Sequence, residues 1–271
     1  MEREHAVLCE AVVEAGQRAL QLASAGFETM TKSDASPVTS ADLEVNRMLE
    51  QALLDAFPED GWLSEESPDS PARLSKPRVW VVDPIDGTRA FMKGRPHFVI
   101  SAALIELGRV VLGAVYNPST GDLFTAARGD GTRLNGHAVR AEAPVAPRLN
   151  LLVNPYEFER GRFKGVADTV DCRPLGSIAY SLALIATGAA DAMITFEREN
   201  EWDVAAGTLL IEEAGGSISD ARGRPFRFNQ TIPTFEGTVA AASHAGPAVQ
   251  QLLHQLYSPL TPASSPCSGS R

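Results

Sequence analysis

The sequence predicts an α+β protein in which sheets and helices form layers. Residues 98–126 have the apolar runs and short turns of an antiparallel meander, and the second half of the chain alternates short strands with helices. Of the 271 residues, 44% are hydrophobic and 21% are charged, which is typical of a globular protein with a sizeable core. A meander followed by alternating strands and helices has to bury its apolar faces between layers.

Two amphipathic helices are predicted near the start of the chain. Apolar residues at helical spacing predict the first helix over residues 4–25, and Gly26 ends it. Residues 32–42 are rich in turn-forming residues, so we expect a loop there. The second helix is predicted from about residue 41 to residue 57, because Pro58 cannot continue it.

The strands of the first half follow these helices. A short apolar strand begins at Val79, after a connector rich in Pro and Ser. Two further strands, at residues 98–106 and 109–116, are separated by only two residues, the second of them a glycine, so we expect a hairpin. Residues 122–126 continue the meander.

A composition change at residues 141–149 marks the best candidate boundary between two halves. We therefore predict an N-terminal half over residues 1–145, a C-terminal half over residues 146–257, and a disordered tail rich in Pro and Ser over residues 258–271. The elements predicted in the C-terminal half are strands at 151–153, 192–196, near 217 and at 238–242, and helices at 178–187, 203–214 and 247–257.

The charge and the cysteines exclude several classes of function. The formal net charge of −10 argues against a nucleic-acid polymer as a partner, because that affinity rests on basic patches. Cys9, Cys172 and Cys267 have neither metal-ligand nor disulfide spacing, which favours a reducing compartment. No apolar run approaches the roughly 20 residues that span a bilayer. We therefore expect a cytoplasmic protein without a membrane partner.

Two carboxylates follow the apolar strand that begins at Val79. Asp83 and Asp86 are three residues apart, and Pro84 favours an extended conformation at Asp83. Gly87 allows a tight turn at Asp86, and the N–H groups that follow it can bind an oxyanion. Two hard oxygen donors on one rigid turn suit Mg²⁺. Asp-Pro and Asp-Gly are also ordinary turn dipeptides, so a turn without function is the alternative.

Three more acidic residues lie where an apolar element meets a turn, namely Asp42, Glu65 and Asp203. Each has a structural alternative. Asp203 has the position of a helix N-cap, and Glu65 can be a solvated loop acid. Asp42 follows Thr39 at the spacing of a capping box. Taken one at a time, these residues do not establish a site.

Taken together and in order, these residues make the chain similar to the inositol monophosphatase family of Mg²⁺-dependent, lithium-sensitive phosphatases. The resemblance extends from about residue 6 to residue 256 and implies a layered αβαβα sandwich. The segments that carry it are Glu65-Glu-Ser67, Asp83-Pro-Ile-Asp-Gly-Thr88, Trp202-Asp203 and Glu213-Ala-Gly-Gly216.

The resemblance implies a site for two or three Mg²⁺ ions. One ion would be held by Glu65, Asp83 and the carbonyl oxygen of Ile85. A second would be held by Asp83, Asp86 and Asp203. Elementary electrostatics agrees, because crowded carboxylates repel one another and take up protons unless cations are present. A bound Mg²⁺ also lowers the pKa of its water and neutralises phosphoryl charge.

The resemblance also implies roles around the metal site. Thr88, paired with Asp42, would orient and help to deprotonate the attacking water. The expected catalytic residues are therefore Asp42, Thr88 and Glu65. The expected substrate-binding residues are Gly87, Thr88, Gly176, Ser177 and Asp203.

The expected substrate is a small phosphorylated metabolite of one of two kinds. Residues 32–42 and the basic residues Arg89 and Lys93 resemble the 3'(2'),5'-bisphosphate nucleotidases, which act on adenosine 3',5'-bisphosphate. Residues 94–98 and 186–191 resemble the inositol monophosphatases. Local motif likeness leads us to expect the nucleotidase, with inositol-1-monophosphatase as the alternative.

Two further points bear on this choice. Lys32 and Arg173 add to the cationic groups that a second phosphate could use. The alternative is that they are ordinary solvated side chains, which is the commoner case for Lys and Arg. The substrate-side glutamate of the inositol phosphatases has no secure match, because the segment before Asp203 is one residue longer and leaves Thr195 or Glu197 opposite that position.

A binding or regulatory module without activity is the alternative from a different class, since a fold does not by itself determine function. A degenerate module should lack one or more ligands, whereas this chain has all five acids and Thr88. We therefore expect an enzyme. Either a monomer or a homodimer is compatible with the resemblance.

Overall fold

The computed structural model describes residues 1–33, 35–142 and 146–257. The α-helices of this part of the chain are α1 (Glu2–Ala25), α2 (Ser40–Ala56), α3 (Thr88–Met92), α4 (Pro155–Glu159), α5 (Ile178–Ala186), α6 (Glu201–Glu213) and α7 (Gly246–Tyr257). Its strands are β1 (Thr29–Thr31), β2 (Pro37–Thr39), β3 (Gly61–Ser64), β4 (Arg78–Asp86), β5 (Val99–Glu106), β6 (Arg109–Asn117), β7 (Asp122–Ala127), β8 (Gly131–Leu134), β9 (His137–Val139), β10 (Leu149–Val153), β11 (Val170–Pro174), β12 (Ala192–Asn200), β13 (Ser217–Ser219) and β14 (Thr234–Ala241).

The larger sheet contains seven strands in chain order, β3-β4-β5-β6-β7-β8-β9. Only the β3–β4 pair is parallel, and the remaining pairs form the predicted antiparallel meander. Both faces of β4 are buried, which explains its uninterrupted apolar run. Trp80 and Val82 pack in one core with α1 and α2, whereas Val79 and Val81 pack in a second core on the opposite face.

The smaller sheet contains five strands in the order β11-β10-β12-β14-β13. Strand β10 is parallel to both of its neighbours, and β14 runs antiparallel to β12 and β13. Helices α5 and α6 pack against each other and against both sheets. Buried Val249 and Leu252 of α7 join the core around this second sheet. The layers therefore follow the order α, β, α, β, α, and the predicted αβαβα sandwich is confirmed.

Residues 32–42 were expected to be a loop, and this prediction is wrong in part. Strands β1 and β2 form a short antiparallel pair on either side of the turn, with Met30 opposite Val38. The strand signal of Val38 and Thr39 is only three residues long, and the surrounding Ser and Pro residues conceal it. Helix α3, helix α4 and strand β11 were also not predicted, and each has only five residues.

The division into residues 1–145 and 146–257 stays a prediction. One buried apolar cluster contains Val81 and Val99 from the first half together with Leu151 and Leu182 from the second. The predicted tail at residues 258–271 lies outside the described residues. No helix in the described ranges is long and apolar enough to cross a membrane.

The central helix α6 crosses β6 where the strand has a glycine. A Cβ atom at Gly113 would lie 2.9 Å from the carbonyl oxygen of Ala206 and 3.1 Å from its Cα. Because these are backbone atoms of a helix packed between two sheets, they cannot move aside as a side chain would. Gly113 therefore sets how closely the α5–α6 layer approaches the larger sheet.

We expect Gly113→Ala to lower the free energy of unfolding by about 1–3 kcal/mol, because overpacking forces the helix away from the strand. Urea unfolding of the purified variant measures this loss. Glu106→Ala, at the exposed end of β5, is the matched control and should change stability by less than about 0.5 kcal/mol. Equal stability of the two variants would contradict the role of Gly113.

Candidate active site

A cavity of about 220 Å³ contains most of the residues that the sequence analysis selected. Eight of the ten predicted residues line it directly, and the other two, Asp42 and Ser177, are hydrogen-bonded to lining residues. The eight are Glu65, Asp83, Ile85, Asp86, Gly87, Thr88, Gly176 and Asp203. Residues separated by up to 161 positions in the chain therefore meet at one place, although their roles stay predictions.

Strand β4 carries the two carboxylates through a bulge. Asp83 is paired with Ser101 and Asp86 with Val99, so the register shifts between them. Asp86 was expected in a turn, and this is wrong, because the strand continues to Asp86 and the turn begins one residue later. Gly87 has φ 100°, a conformation that favours glycine, and a Cβ there would lie 2.8 Å from the carbonyl oxygen of His97.

The carboxylate of Asp86 reaches the second half of the chain. Its Oδ2 accepts the hydroxyl proton of Ser177 at 2.7 Å and the N–H of Ala179 at 2.6 Å. Ser177 is also the N-cap of α5, where its Oγ accepts the N–H of Tyr180. Burial raises the pKa of Asp86 to about 7, although these hydrogen bonds oppose the increase.

Asp42 has both its structural and its expected functional contacts. Its Oδ2 accepts the N–H and the hydroxyl of Thr39, which completes the capping box at the start of α2. Its Oδ1 lies 3.2 Å from Oγ1 of Thr88, and Oγ1 lies at the same distance from the carbonyl oxygen of Ile85. The single hydroxyl proton of Thr88 can be donated to only one of them at a time. Burial is the main cause that raises the pKa of Asp42.

Lys32 lies between two acidic residues at the edge of the cavity. Its Nζ donates to Glu65 at 2.7 Å and is paired with Glu66 at 2.6 Å. Burial lowers the pKa of Lys32, but the attraction and hydrogen bonds of the two carboxylates outweigh it and raise the pKa overall. Burial raises the pKa of Glu66 to about 7, against the effect of Lys32. Lys32 is thus engaged by carboxylates of the site.

Asp203 is part of a capping box at the start of α6. Its Oδ2 accepts the backbone N–H of Asn200 at 2.6 Å and is 3.2 Å from the side-chain nitrogen of the same residue. The predicted helix start at residue 203 is wrong by two residues, because Asn200 is the N-cap and Asp203 the third helical residue. Burial raises the pKa of Asp203, and the charges of Asp86 and Glu65 add to this effect.

The donor set suits a hard divalent cation. Burial raises the pKa of Asp83 well above its usual value, and the neighbouring charges of Glu65, Asp86 and Asp203 raise it further. A cation would relieve this repulsion, and oxygen donors of this kind are those that Mg²⁺ prefers. No group of three or more acidic, His or Cys side chains in the described residues has a metal-binding arrangement. One of the expected ligand sets has only two acidic side chains, because its third donor is the carbonyl oxygen of Ile85.

The expected match for a substrate-side glutamate is not supported at either position. The segment before Asp203 was expected to be one residue longer than in the inositol phosphatases, and β12 has a bulge in this segment, between Thr195 and Arg198. Thr195 is buried and donates to Oε1 of Glu199 at 3.1 Å, whereas Glu197 is exposed. Glu199 is itself buried, and burial followed by the charge of Asp203 raises its pKa. Sequence spacing gave no signal for Glu199, because a strand bulge changes which residues share a face.

A buried arginine that the sequence analysis did not select connects the first half of the chain to residues 229 and 230. Arg73 is 2% exposed and binds both carboxylate oxygens of Asp69, at 2.7 and 2.9 Å. It also donates to Oδ1 of Asn229 and to the carbonyl oxygen of Gln230. The N–H groups of those two residues donate to Glu201, the first residue of α6. Arg73 therefore holds a loop that in turn holds the start of α6.

Comparison with known proteins agrees with this architecture. The family model described as the inositol monophosphatase family matches residues 1–258. Among solved structures, the IMPase of Thermotoga maritima has a TM-score of 0.83 at 26% identity, covering 94% of this chain and 98% of its own. The 2'AMP-bound SaIMPase-II has a TM-score of 0.72 at 26% identity, covering 91% of this chain and 96% of its own.

Curated relatives have several functions. Inositol-1-monophosphatase of Rhizobium meliloti is 37% identical, over 73% of this chain and 77% of its own length. Nus factor SuhB of Escherichia coli is 33% identical, over 78% of this chain and 84% of its own length. Histidinol-phosphatase of Chlorobaculum parvum is 32% identical, over 85% of this chain and 86% of its own length.

Fold and cavity together define a layered phosphatase with a site made of carboxylates. The chain belongs to the inositol monophosphatase family, a family of phosphatases that are generally metal-dependent.

We expect Arg73→Met to lower the free energy of unfolding by about 2–3 kcal/mol, because it removes the hydrogen bonds that a buried charged donor makes to Asp69, Asn229 and Gln230. Urea unfolding measures the change. Arg222→Gln is the control, since Arg222 is 65% exposed and its pairing with Glu236 is worth at most about 1 kcal/mol. A loss for Arg73→Met no larger than for the control would contradict the bridging role.

Proposed function

We propose that the protein is a Mg²⁺-dependent phosphomonoesterase that hydrolyses a small phosphorylated metabolite by direct attack of water. The single observation that carries this proposal is the meeting of Glu65, Asp83, Asp86 and Asp203 at one cavity. Repulsion among these crowded carboxylates favours cation binding, and a phosphoryl group needs positive charge to be hydrolysed. The proposal is also supported by the family of the chain, because a model of this phosphatase family matches nearly the whole sequence.

We assign the metal ligands as Glu65, Asp83, the carbonyl oxygen of Ile85, Asp86 and Asp203, for two or three Mg²⁺ ions. When bound, Mg²⁺ would supply a water of lowered pKa and charge neutralisation at the phosphoryl oxygens.

The residues on the wall of the cavity perform the remaining tasks. The hydroxyl of Thr88 donates to the buried carboxylate of Asp42, which leaves a lone pair of Oγ1 to accept a hydrogen bond from a water molecule. As the water gives a proton to Oγ1, the hydroxyl proton of Thr88 passes to the carboxylate of Asp42. The backbone N–H groups of Gly87 and Thr88 bind phosphate oxygens. Gly176 also lines the cavity, and Ser177 holds the carboxylate of Asp86 in place.

Asp83→Asn should abolish Mg²⁺-dependent phosphatase activity while the protein remains folded, because removing a charge from a crowded buried cluster reduces repulsion. Mg²⁺ at about 100 times its Kd should stabilise the unmodified protein by about 2.7 kcal/mol and raise its Tm. The Asp83→Asn variant should lose this Tm shift.

Thr88→Ala is the matched control for that experiment. It should retain the Mg²⁺-induced Tm shift but lose about 10²-fold or more in kcat, which is the usual contribution of a group that assists proton transfer. Undiminished hydrolysis in Asp83→Asn would contradict the metal assignment. A folded, Mg²⁺-supplied protein that hydrolyses no phosphate ester would favour a regulatory or binding module instead.

For the substrate, we propose adenosine 3',5'-bisphosphate, so that the enzyme is a 3'(2'),5'-bisphosphate nucleotidase. Arg89 supports this choice, because it lines the cavity beside the proposed phosphate site and has no side-chain hydrogen bond or ion pair within the described residues. Its guanidinium group is suited to a second phosphate. The 2'AMP-bound SaIMPase-II is a related structure that holds a nucleotide phosphate.

Inositol 1-phosphate is the second candidate substrate. The Rhizobium meliloti relative, whose name is inositol-1-monophosphatase, is 37% identical to this chain. The same reasoning adds histidinol phosphate to the assay, because of the name of the Chlorobaculum parvum relative.

We expect kcat/KM for adenosine 3',5'-bisphosphate to exceed that for the other two esters by about tenfold or more, which equals about 1.4 kcal/mol of transition-state discrimination. Arg89→Gln should remove most of this preference without lowering hydrolysis of inositol 1-phosphate. Arg95→Gln, an exposed arginine outside the cavity, is the control and should leave the preference unchanged. A tenfold preference for either other ester would replace our substrate assignment and leave the metal site intact.

A further inference from the structure

A second cavity, away from the carboxylates, has the opposite charge. It has a volume of about 400 Å³, which lies within the range of small-molecule sites. One wall is the segment between β13 and β14, and the other is formed by the outer ends of β12 and β14. Four arginines line it, namely Arg198, Arg222, Arg224 and Arg227. We call it the arginine cleft.

The protein itself neutralises only half of this charge. Asp220 pairs with Arg224 at 2.6 Å, and Glu236 pairs with Arg222. Arg198 and Arg227 make no side-chain hydrogen bond or ion pair within the described ranges. Four guanidinium groups therefore face two carboxylates, in a chain whose formal net charge is −10.

The loop that carries two of these arginines has a fixed conformation. The buried Asp220 accepts the backbone N–H groups of Arg222 and Arg224 at 2.9 and 2.8 Å, which closes the turn between them. Its main role is thus to shape the loop. The ring of Phe226 packs against the ring of Phe235 with centroids 4.3 Å apart, so the floor of the cleft is rigid.

The positive charge extends beyond the cleft along the same segment. A neighbouring cavity of about 280 Å³ shares Pro225, Phe226 and Arg227 with the cleft. It adds Arg109, which has no side-chain partner in the described part of the chain, and Arg128, which pairs with Glu212. Three guanidinium groups without a partner therefore lie around one short segment.

We propose that the arginine cleft is a second ligand site, distinct from the carboxylate cavity, that binds a small anion carrying two or more phosphate groups. Guanidinium groups bind phosphate through paired N–H donors, and they hold this geometry better than lysine does. Two unpartnered guanidinium groups match at least two negative charges. Phe226 offers an aromatic surface at the same place, on which a base of a nucleotide can stack.

Isothermal titration with inorganic triphosphate, in EDTA, tests the proposal. EDTA removes divalent ions, so the repelling carboxylates of the other cavity cannot bind the anion through metal. We expect saturable binding of one triphosphate per chain, weakened by added salt because exposed charges are screened. The double variant Arg198→Gln/Arg227→Gln should raise Kd by about tenfold or more.

The double variant Arg47→Gln/Arg95→Gln is the matched control. Both of its arginines are exposed and lie outside the cleft, and the change in net charge is the same. It should change Kd by less than about twofold. Absence of saturable binding, or an equal loss of affinity in the control, would overturn the proposal.

ADP as a second probe distinguishes two sources of the phosphate groups. If ADP and triphosphate bind equally, the cleft recognises phosphates alone. Tighter binding of ADP, reduced by Phe226→Leu, identifies a nucleotide site. The cleft variants keep every residue of the carboxylate cavity, so a failed titration leaves the proposed phosphatase activity untouched, and loss of Mg²⁺-dependent hydrolysis in Asp83→Asn does not bear on the cleft.

Discussion

The buried carboxylate of Asp86 is the contact on which the candidate site depends. It ends β4 of the larger sheet, and it accepts hydrogen bonds from Ser177 and Ala179 at the start of α5. Hydrogen bonds to a charged group are each worth about 1.5–3 kcal/mol, so this contact offsets part of the cost of burying the charge. It also links the two halves of the chain beside the cavity, which Gly176 and Asp203 line from the second half.

The other carboxylates work against folding unless a cation is present. Asp83 is buried and Asp203 is half-buried, and the pKa of each is raised by desolvation and by the charges of neighbouring carboxylates. Lys32 reduces the repulsion only at the edge, where it holds Glu65 and Glu66. Carboxylates that lower stability in this way are typical of binding and catalytic sites. Structural ion-pair networks are the other setting in which pKa values are shifted.

The sequence located the parts of the site better than it described their geometry. For Asp42, both the structural and the functional contact that the sequence suggested are present. It completes the capping box with Thr39 and also contacts Thr88. The bulge at Asp83 could not be foreseen, since a bulge depends on how the partner strand pairs. Glu199 was not predicted for the same reason, because β12 has a register shift between Thr195 and Arg198.

Long-range packing explains what the sequence could not show by spacing alone. Arg73 and Asn229 are 156 residues apart, and no local pattern indicates that a surface-type residue will be buried between the halves. For the same reason, the meeting of Asp83 with Asp203 followed only from the family resemblance. The meander was simpler, because a hairpin is determined by neighbouring residues and by a glycine at its turn.

The loop between β13 and β14 links the two cavities physically. Its Gln230 lines the arginine cleft, while the N–H of the same residue donates to Glu201 and its carbonyl oxygen accepts from Arg73. Glu201 begins α6, two residues before Asp203. Asp220 holds the arginine end of this loop by accepting two of its N–H groups, and Arg73 and Glu201 hold its residues 229 and 230. One short loop, fixed at both ends by hydrogen bonds, therefore carries arginines of the cleft and also positions the first residue of the helix that carries Asp203.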